Sequence, residues 1–471
     1  MSRLRISVTA KLAVLSPLHV GSGEGRHVDA VDLAASRNGR QNIQPDVAAI
    51  QRDANGQPWI PGSTLKGLLR RLADQPQTDR RDWTTRLLGC PPDDAGKNAR
   101  MGALLVYGAT LAQPGDATGM PYSDVNPPPV QGPAQSGMLG RGVYVAARTA
   151  IDSSLGIAAN GKLFFQEVVA PGAQFTLRLL LDLHAPVAEH AAARQQLLTL
   201  LSRMTGAEGV QIGAGQADGQ GRIRLLAATL QLQEGRLDTK GFIALKPSKP
   251  SLAAPSIGTG SHRRWVLNLN CPGPFAVLDG SYPVRRAEGQ PQLQAQRQTK
   301  GSLPIIPGAS LMGTLRSHAA WIASLDAHRA KQDTRQDDQG KVYRDEVRTP
   351  LTAVERLFGV AGYRALLGLA SFDVTAAKPW SVHSVRLDRF SGGPIDNALF
   401  ETSCFTGVAA RAVIELAARP MSAAALTSAE KLAEELMKQL GAQGLRLGHG
   451  TNRGFGWFDV TVTQEAVRAA F

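Results

Sequence analysis

Ile60-Pro-Gly-Ser-Thr-Leu-Lys-Gly67 reads as a turn that runs straight into a helix, and the chain repeats it as Ile306-Pro-Gly-Ala-Ser-Leu-Met-Gly313. Each copy follows an irregular polar segment. After the first, Leu65, Leu68, Leu69 and Leu72 fall on one helical face, and Ser63 is expected as the N-cap. Pro61 and Gly62 would leave the first-turn N–H groups pointing outward. Those donors and the helix dipole suit an anion, and Lys66 and Arg70 lie close enough in sequence to add charge. Ser310 and Arg316 occupy comparable places in the second copy.

Working outward, a chain of 471 residues exceeds one typical core, so two domains are expected. The boundaries read as 1–235 and 263–471, joined by a linker over 236–262 that carries Pro247, Pro250 and Pro255. A net charge of +13 favours a polyanionic partner, most simply nucleic acid. No basic amphipathic helix, lipidation signal or long apolar run points to a membrane. Residues 3–15 alternate apolar and polar as a strand does, unlike a signal peptide. Cys90, Cys271 and Cys404 are far apart and give neither a disulfide framework nor a zinc pattern. A soluble, cytoplasmic protein is the expectation.

The two halves repeat further landmarks in one order. The apolar stretch Met101–Tyr107 is matched by Leu367–Asp373. Arg148…Asp152 with Leu163-Phe-Phe-Gln-Glu167 is matched by Arg386-Leu-Asp388 with Leu399-Phe-Glu401. Helices are expected over 186–204 and 422–440. A Pro/Gly-rich excursion at 112–142 marks the first half, and a charged run at 325–350 takes its place in the second. The sharpest match is G-x-G-x3-G-x-G, formed by Gly213, Gly215, Gly219, Gly221 and again by Gly448, Gly450, Gly454, Gly456, with Arg453 inside the second loop. Such glycines permit positive φ and a close approach to a ligand or to another segment. Without a preceding strand and a following helix they are not a dinucleotide fingerprint. Each half thus runs β, long loop, α, β, excursion, β, α, glycine turn, β. That order fits an α+β chain of two tandem ferredoxin-like (RRM-like) units with long inserted loops.

Taken together, the Ile-Pro-Gly-Ser-Thr-Leu-Lys-Gly stretch, the Leu-Phe-x-x-Glu stretch and the late glycine loop resemble the RAMP superfamily of CRISPR-associated proteins, over nearly the whole chain. The likeness is greatest to the Cas-seven-type backbone subunits of type III effector complexes, and the doubled unit is similar to the fused backbone subunit of subtype III-D. The resemblance implies that the chain stacks with other effector subunits along a guide RNA (crRNA) and holds its phosphates in a basic groove. It further implies an arm that wedges into the guide–target duplex, and an aspartate before the Ile-Pro-Gly helix that cuts target RNA. The guide grip then falls on Gly62, Ser63, Lys66 and Arg70, the wedge on 112–142, and the cutting aspartate on the 26–53 loop.

Within that loop stand Asp29, Asp32, Asp46 and Asp53. The stretch Ile50-Gln-Arg-Asp53-Ala-Asn-Gly56 aligns with the family pattern and makes Asp46 the best match, with Asp32 the runner-up; Asp53, beside Asn55-Gly56, reads as a turn former. A carboxylate, alone or with Mg2+ or another divalent cation, favours attack of a ribose 2′-OH on its own phosphate. No residue set is assigned firmly to a metal, and no clustered carboxylates mark a dedicated two-metal nuclease. The loop at 282–302 of the second half has no aspartate, and Met312 replaces Lys66, so that half reads as a binding repeat. His19 and His449 leave a second enzyme class open, a nuclease that processes guide precursors, while a hydrogen-bonded structural histidine is the commoner case. A non-catalytic RNA-binding scaffold is the remaining alternative.

Overall fold

The computed structural model describes residues 2–27, 46–73, 81–90, 100–112, 143–152, 157–238, 241–244, 247–252, 261–278, 303–330, 351–360, 363–417 and 422–465. Alternation decides the first strand: β1 (Ser2–Val14) buries Leu4, Ile6, Val8, Ala10 and Leu12 and turns the residues between them away from the core. At about 1.5–3 kcal/mol for each large side chain, that face alone pins the register. The chain continues through β2 (Gly21–His27), β3 (Asp46–Ile50) and β4 (Trp59–Ile60) to α1 (Gly62–Ala73), α2 (Arg81–Leu88), β5 (Gly89–Cys90) and β6 (Arg100–Met101). Next come β7 (Leu104–Leu111), β8 (Val143–Asp152), β9 (Ile157–Val169), β10 (Gln174–Ala185), α3 (Val187–Ser202), β11 (Val210–Gln211), β12 (Arg222–Asp238) and β13 (Gly241–Ala244). The second half holds β14 (Ser261–Cys271), α4 (Gly308–Ala330), α5 (Ala353–Phe358), β15 (Leu367–Leu387), β16 (Pro394–Ala417), α6 (Ala423–Gln443), β17 (Leu445–Arg446) and β18 (Trp457–Glu465).

Both halves build the same sheet. The first runs β12-β1-β10-β7, with β11 and β13 against β12 and β4 against β7; the second runs β15-β16-β14-β18-β17. Every neighbour in these two sheets is antiparallel. Taking the four main strands of each half in chain order, the spatial order is fourth, first, third, second, which is the ferredoxin-like βαββαβ arrangement. Each sheet has its own apolar core, with Leu65, Leu68, Leu197 and Leu201 in the first and Leu311, Leu315, Leu436 and Leu440 in the second. In the first half β8 and β9 lie outside the main sheet, in a separate sheet of order β2-β3-β9-β8. Their counterparts in the second half are the far ends of β15 and β16, which run on unbroken as one long hairpin.

Several expectations change. The helix after Pro61 starts at Gly62, with Leu65 N–H donating to the Pro61 carbonyl at 3.2 Å, so Ser63 lies inside the first turn and is not the N-cap. Part of the segment 236–262 is paired strand, since β12 extends to Asp238, β13 returns along it and β14 opens at Ser261. Helix α4 continues to Ala330, so the start of the charged run at 325–350 is helical and only 331–350 falls outside the described residues. Nearly all of the excursion at 112–142 also lies outside them. Among the described residues, no helix is long and apolar enough to cross a membrane.

Candidate nucleic-acid interface

Close packing, not only turn geometry, requires glycine at both helix starts. A Cβ on Gly62 would stand 2.1 Å from the Val106 carbonyl oxygen, and one on Gly308 would stand 1.9 Å from the Asp218 carbonyl oxygen. The first contact is local to its half. The second comes from the other half's glycine loop, so the α4 start is covered while the α1 start, with Ser63 exposed and Lys66 half-buried, stays open. Ser310 is half-buried in the covered turn and Arg316 is exposed. Arg70, expected among the phosphate ligands, instead donates to the carbonyls of Leu88 and Gly89, both at 3.0 Å, and so closes the C-terminal end of α2. A cation satisfies free carbonyls at a helix end well, which explains the diversion.

The two glycine loops share one backbone and differ in surroundings. In each, a 3-10 turn (Gln216–Asp218 or Thr451–Arg453) sits between left-handed glycines, Gly215 and Gly219 or Gly450 and Gly454. Gly213, Gly221, Gly448 and Gly456 also have positive φ. Both loops hang from the segment that follows their half's first strand: Ala214 N–H donates to the His19 carbonyl at 2.9 Å, and His449 N–H donates to the Ala276 carbonyl at 2.7 Å. The first loop is pressed on the second half, with Gly219 against Leu369 and Gln211 Nε2 donating to the Leu369 carbonyl at 3.0 Å. Of the two partners that the glycines allow, a ligand or another segment, the first loop meets another segment. The second loop is open, and a Cβ on Gly454 would meet nothing within 4 Å.

Charge follows the same division. Where the first loop has Asp218, paired with Arg148 at 3.3 Å, the second has the exposed Arg453. Arg453 donates to His449 Nε2 at 2.8 Å; partial burial, then the Arg453 charge, lowers the His449 pKa, so the imidazole is neutral at neutral pH and accepts this bond. Beside the loop the Arg446 guanidinium lies 4.7 Å over the centre of the exposed Trp457 ring.

Around Asp46 the backbone is informative. Asp46 is the first residue of β3, in register opposite His27, and the next residue, Val47, pairs with Phe165 of β9 in parallel. The far end of β3 is held by Glu167, which is completely buried. Its Oε2 accepts from Ile50 N–H at 3.1 Å, its Oε1 accepts from Arg52 Nη2 at 3.2 Å, and its own carbonyl lies 2.6 Å from His19 Nδ1. His19 is thus a buried, hydrogen-bonded structural histidine. Sequence reasoning found Glu167 as a repeat landmark but missed this role; the available signal was a carboxylate set inside an apolar strand. Asp53 accepts from the N–H groups of Asn55 and Gln57, each at 2.9 Å, and forms the expected turn. Asp32 lies outside the described residues.

The long hairpin of β15 and β16 was also missed. Beyond the core it exposes Trp380, Val385, Leu387, Leu399 and, at the tip, Phe390, which is 99% exposed. Lys378, Arg386 and Arg389 are exposed among them. At the tip the Asp388 carboxylate accepts from the N–H groups of Phe390 and Ser391 at 2.9 and 2.8 Å, and these bonds lower its pKa. Among the described residues, no three histidine, cysteine or acidic side chains converge as a metal site would require.

The family model of the RAMP superfamily matches residues 11–224 and, separately, residues 256–459. No curated protein matches the chain.

Proposed function

Because the chain belongs to the RAMP superfamily in both of its halves, we propose that it is a CRISPR-associated, RNA-binding backbone subunit of a type III effector complex. In this reading domains 1–235 and 263–471 hold neighbouring stretches of one guide RNA, and the first cuts target RNA. The observation that carries it is the doubled arrangement of helix start and glycine loop in a chain of net charge +13. The open α1 start with Lys66, and the second loop with Arg453, Arg446 and Trp457, supply N–H donors, cations and an aromatic face, which suit a single strand. The β15–β16 hairpin, with Trp380 and Phe390 among cations, suits insertion beside a duplex and serves as the arm of the second half.

The cutting chemistry is assigned to Asp46. Its carboxylate would take the proton of a ribose 2′-OH whose oxygen attacks the adjoining phosphorus. The bond to the 5′-oxygen then breaks, leaving a cyclic phosphate and, once that oxygen is protonated by water, a 5′-hydroxyl. A divalent cation, Mg2+ first, belongs to the proposal only as a ligand of the 26–53 loop. The described residues hold no donor set for it, and no step here passes through it.

Two measurements test the reading. The purified chain should carry a discrete small RNA from its host, bound with a steep salt dependence. Within the assembled complex, Asp46→Ala should abolish one mapped cut in the target and leave guide binding nearly unchanged. Loss in Asp32→Ala instead would move the assignment, and retention of every cut in both variants would leave a binding scaffold.

A further inference from the structure

The open faces of the two sheets have different surroundings. Where the halves meet along a seam, the second sheet is covered. There Arg264, on the interior strand β14, meets Glu208 of the first half as well as Glu415 at 2.6 Å and Glu465 at 2.7 Å. Asp373 of β15 reaches across the same seam to the buried Arg222 at 3.8 Å. The first sheet differs. Its β1 is an interior strand too, yet Arg5, Ser7 and Thr9 are exposed along it. Their cross-strand neighbours Gln231 and Gln233 on β12 and Arg178 on β10 are exposed as well. An interior strand shows its side chains only where no layer packs on it, so this face is open to a partner.

At the far side of that face β7 carries a bulge. Val106 pairs with Leu179 and Ala109 with Leu177, so Tyr107 and Gly108 both oppose Arg178. Packing requires a glycine as the extra residue: φ is +94°, and a Cβ there would stand 2.7 Å from Trp59 Nε1 and 2.8 Å from the Ile60 carbonyl oxygen. Bulges re-aim the side chains beside them, and Tyr107 is 58% exposed. Among the described residues, the Arg178 guanidinium and the Tyr107 hydroxyl make no ion pair or hydrogen bond. Asp182, the one carboxylate on the described part of this face, is already shared by Arg3 at 2.5 Å and Arg5 at 3.7 Å. Positive charge is left over. In the second half Asp373 matches Tyr107 and lies opposite Arg411. A carboxylate there repels an anionic strand and offers no ring, so the arrangement belongs to the first half alone.

We propose that this face binds single-stranded RNA, with one base stacked on the Tyr107 ring and the adjoining phosphate held by Arg178. The proposal rests on the RNA-binding reading above and adds a surface beyond the helix starts and glycine loops. The chemistry favours RNA over an acidic protein: an exposed ring, a cation opposite it, and the exposed hydroxyls and amides of Ser7, Thr9, Gln231 and Gln233 for base edges. A strand held at the open α1 start has a route to it, because Gly62 packs on the Val106 carbonyl, one residue before Tyr107. Stacking serves any base, so the contact orders the strand without selecting a sequence.

The test measures binding of an oligouridine RNA, and of an abasic strand of the same length, by the purified chain across a salt series. Tyr107→Ala should weaken oligouridine binding about tenfold at an unchanged salt slope, and Tyr107→Phe, which keeps the ring, should match wild type. Arg178→Gln should lower the slope of log affinity against log salt by about 0.7. The abasic strand should bind Tyr107→Ala and wild type alike. Melting temperatures should hold in all three variants, as for surface substitutions. A wild type that binds steeply while Tyr107→Ala matches it in affinity overturns the platform and leaves the RNA reading standing. Loss in Arg178→Gln alone also overturns it, since a bare charge contact would suit an acidic protein equally. A wild type that binds no RNA sinks the platform and that reading together.

Discussion

Glu167 and His449 set the limits of what single side chains do here. Glu167 joins three segments at once, and its removal takes away the buried carboxylate that Arg52 Nη2 donates to at 3.2 Å. Glu167→Ala should therefore lower the unfolding free energy by about 3–5 kcal/mol in urea titration, the usual cost of breaking a buried pair. An effect under about 1 kcal/mol would show that water replaces the carboxylate at no cost. His449 acts through protons. Its folded pKa lies below the unfolded value of 6.5, so the unfolded chain binds the extra proton first, and stability must fall as pH drops below about 6.5. His449→Gln should flatten that loss: melting curves at pH 5.5 should show the variant gaining on wild type relative to pH 7.5. Equal shifts at both pH values would place the acid sensitivity elsewhere.

At the scale of elements, glycines of α1 give opposite expectations from one helix. Gly62→Ala would drive its Cβ into the Val106 carbonyl oxygen and should cost about 1–3 kcal/mol. Gly67→Ala, mid-helix with nothing within 4 Å of the new atom, should add about 0.5–1 kcal/mol. Thermal melting of the two variants checks the pair, and equal signs would refute the packing account. Much at this scale was legible beforehand. Period-two burial in β1 and β10 and the repeated landmarks fixed the ferredoxin-like order. Helices α3 and α6 fall close to the expected spans 186–204 and 422–440. The long hairpin was not legible, because its outer residues alternate without burying either face, and a pattern with no core behind it is indistinguishable from a loop. The role of Arg70 was hidden for a different reason: sequence gives its charge and not the helix end it meets.

Across the whole molecule the seam decides behaviour, and no local pattern announced it. Gln211, Gln216, Asp218 and Arg264 touch residues more than 50 positions away in sequence, so periodicity and motif spacing carry no trace of their partners. The Arg264 end offers the clearest test. Burial raises the Glu415 pKa even though Arg264 lowers it, so Arg264→Met leaves three carboxylates facing one another and should cost about 3 kcal/mol at pH 7.5. With the Glu415 pKa raised by burial, the folded variant takes up a proton there first, and its deficit should shrink as pH falls toward 5. Urea titrations at the two pH values measure this, and a deficit independent of pH would mean that lost packing, not charge, is responsible. One consequence follows from both seam partners lying on a single chain. Their encounter is unimolecular, so dilution cannot part them, and the first glycine loop stays docked at protein concentrations where two separate chains of the same make would have drifted apart. The pairing ratio is thereby one to one by synthesis, with less rotational and translational freedom lost at the moment of docking than two separate chains would lose.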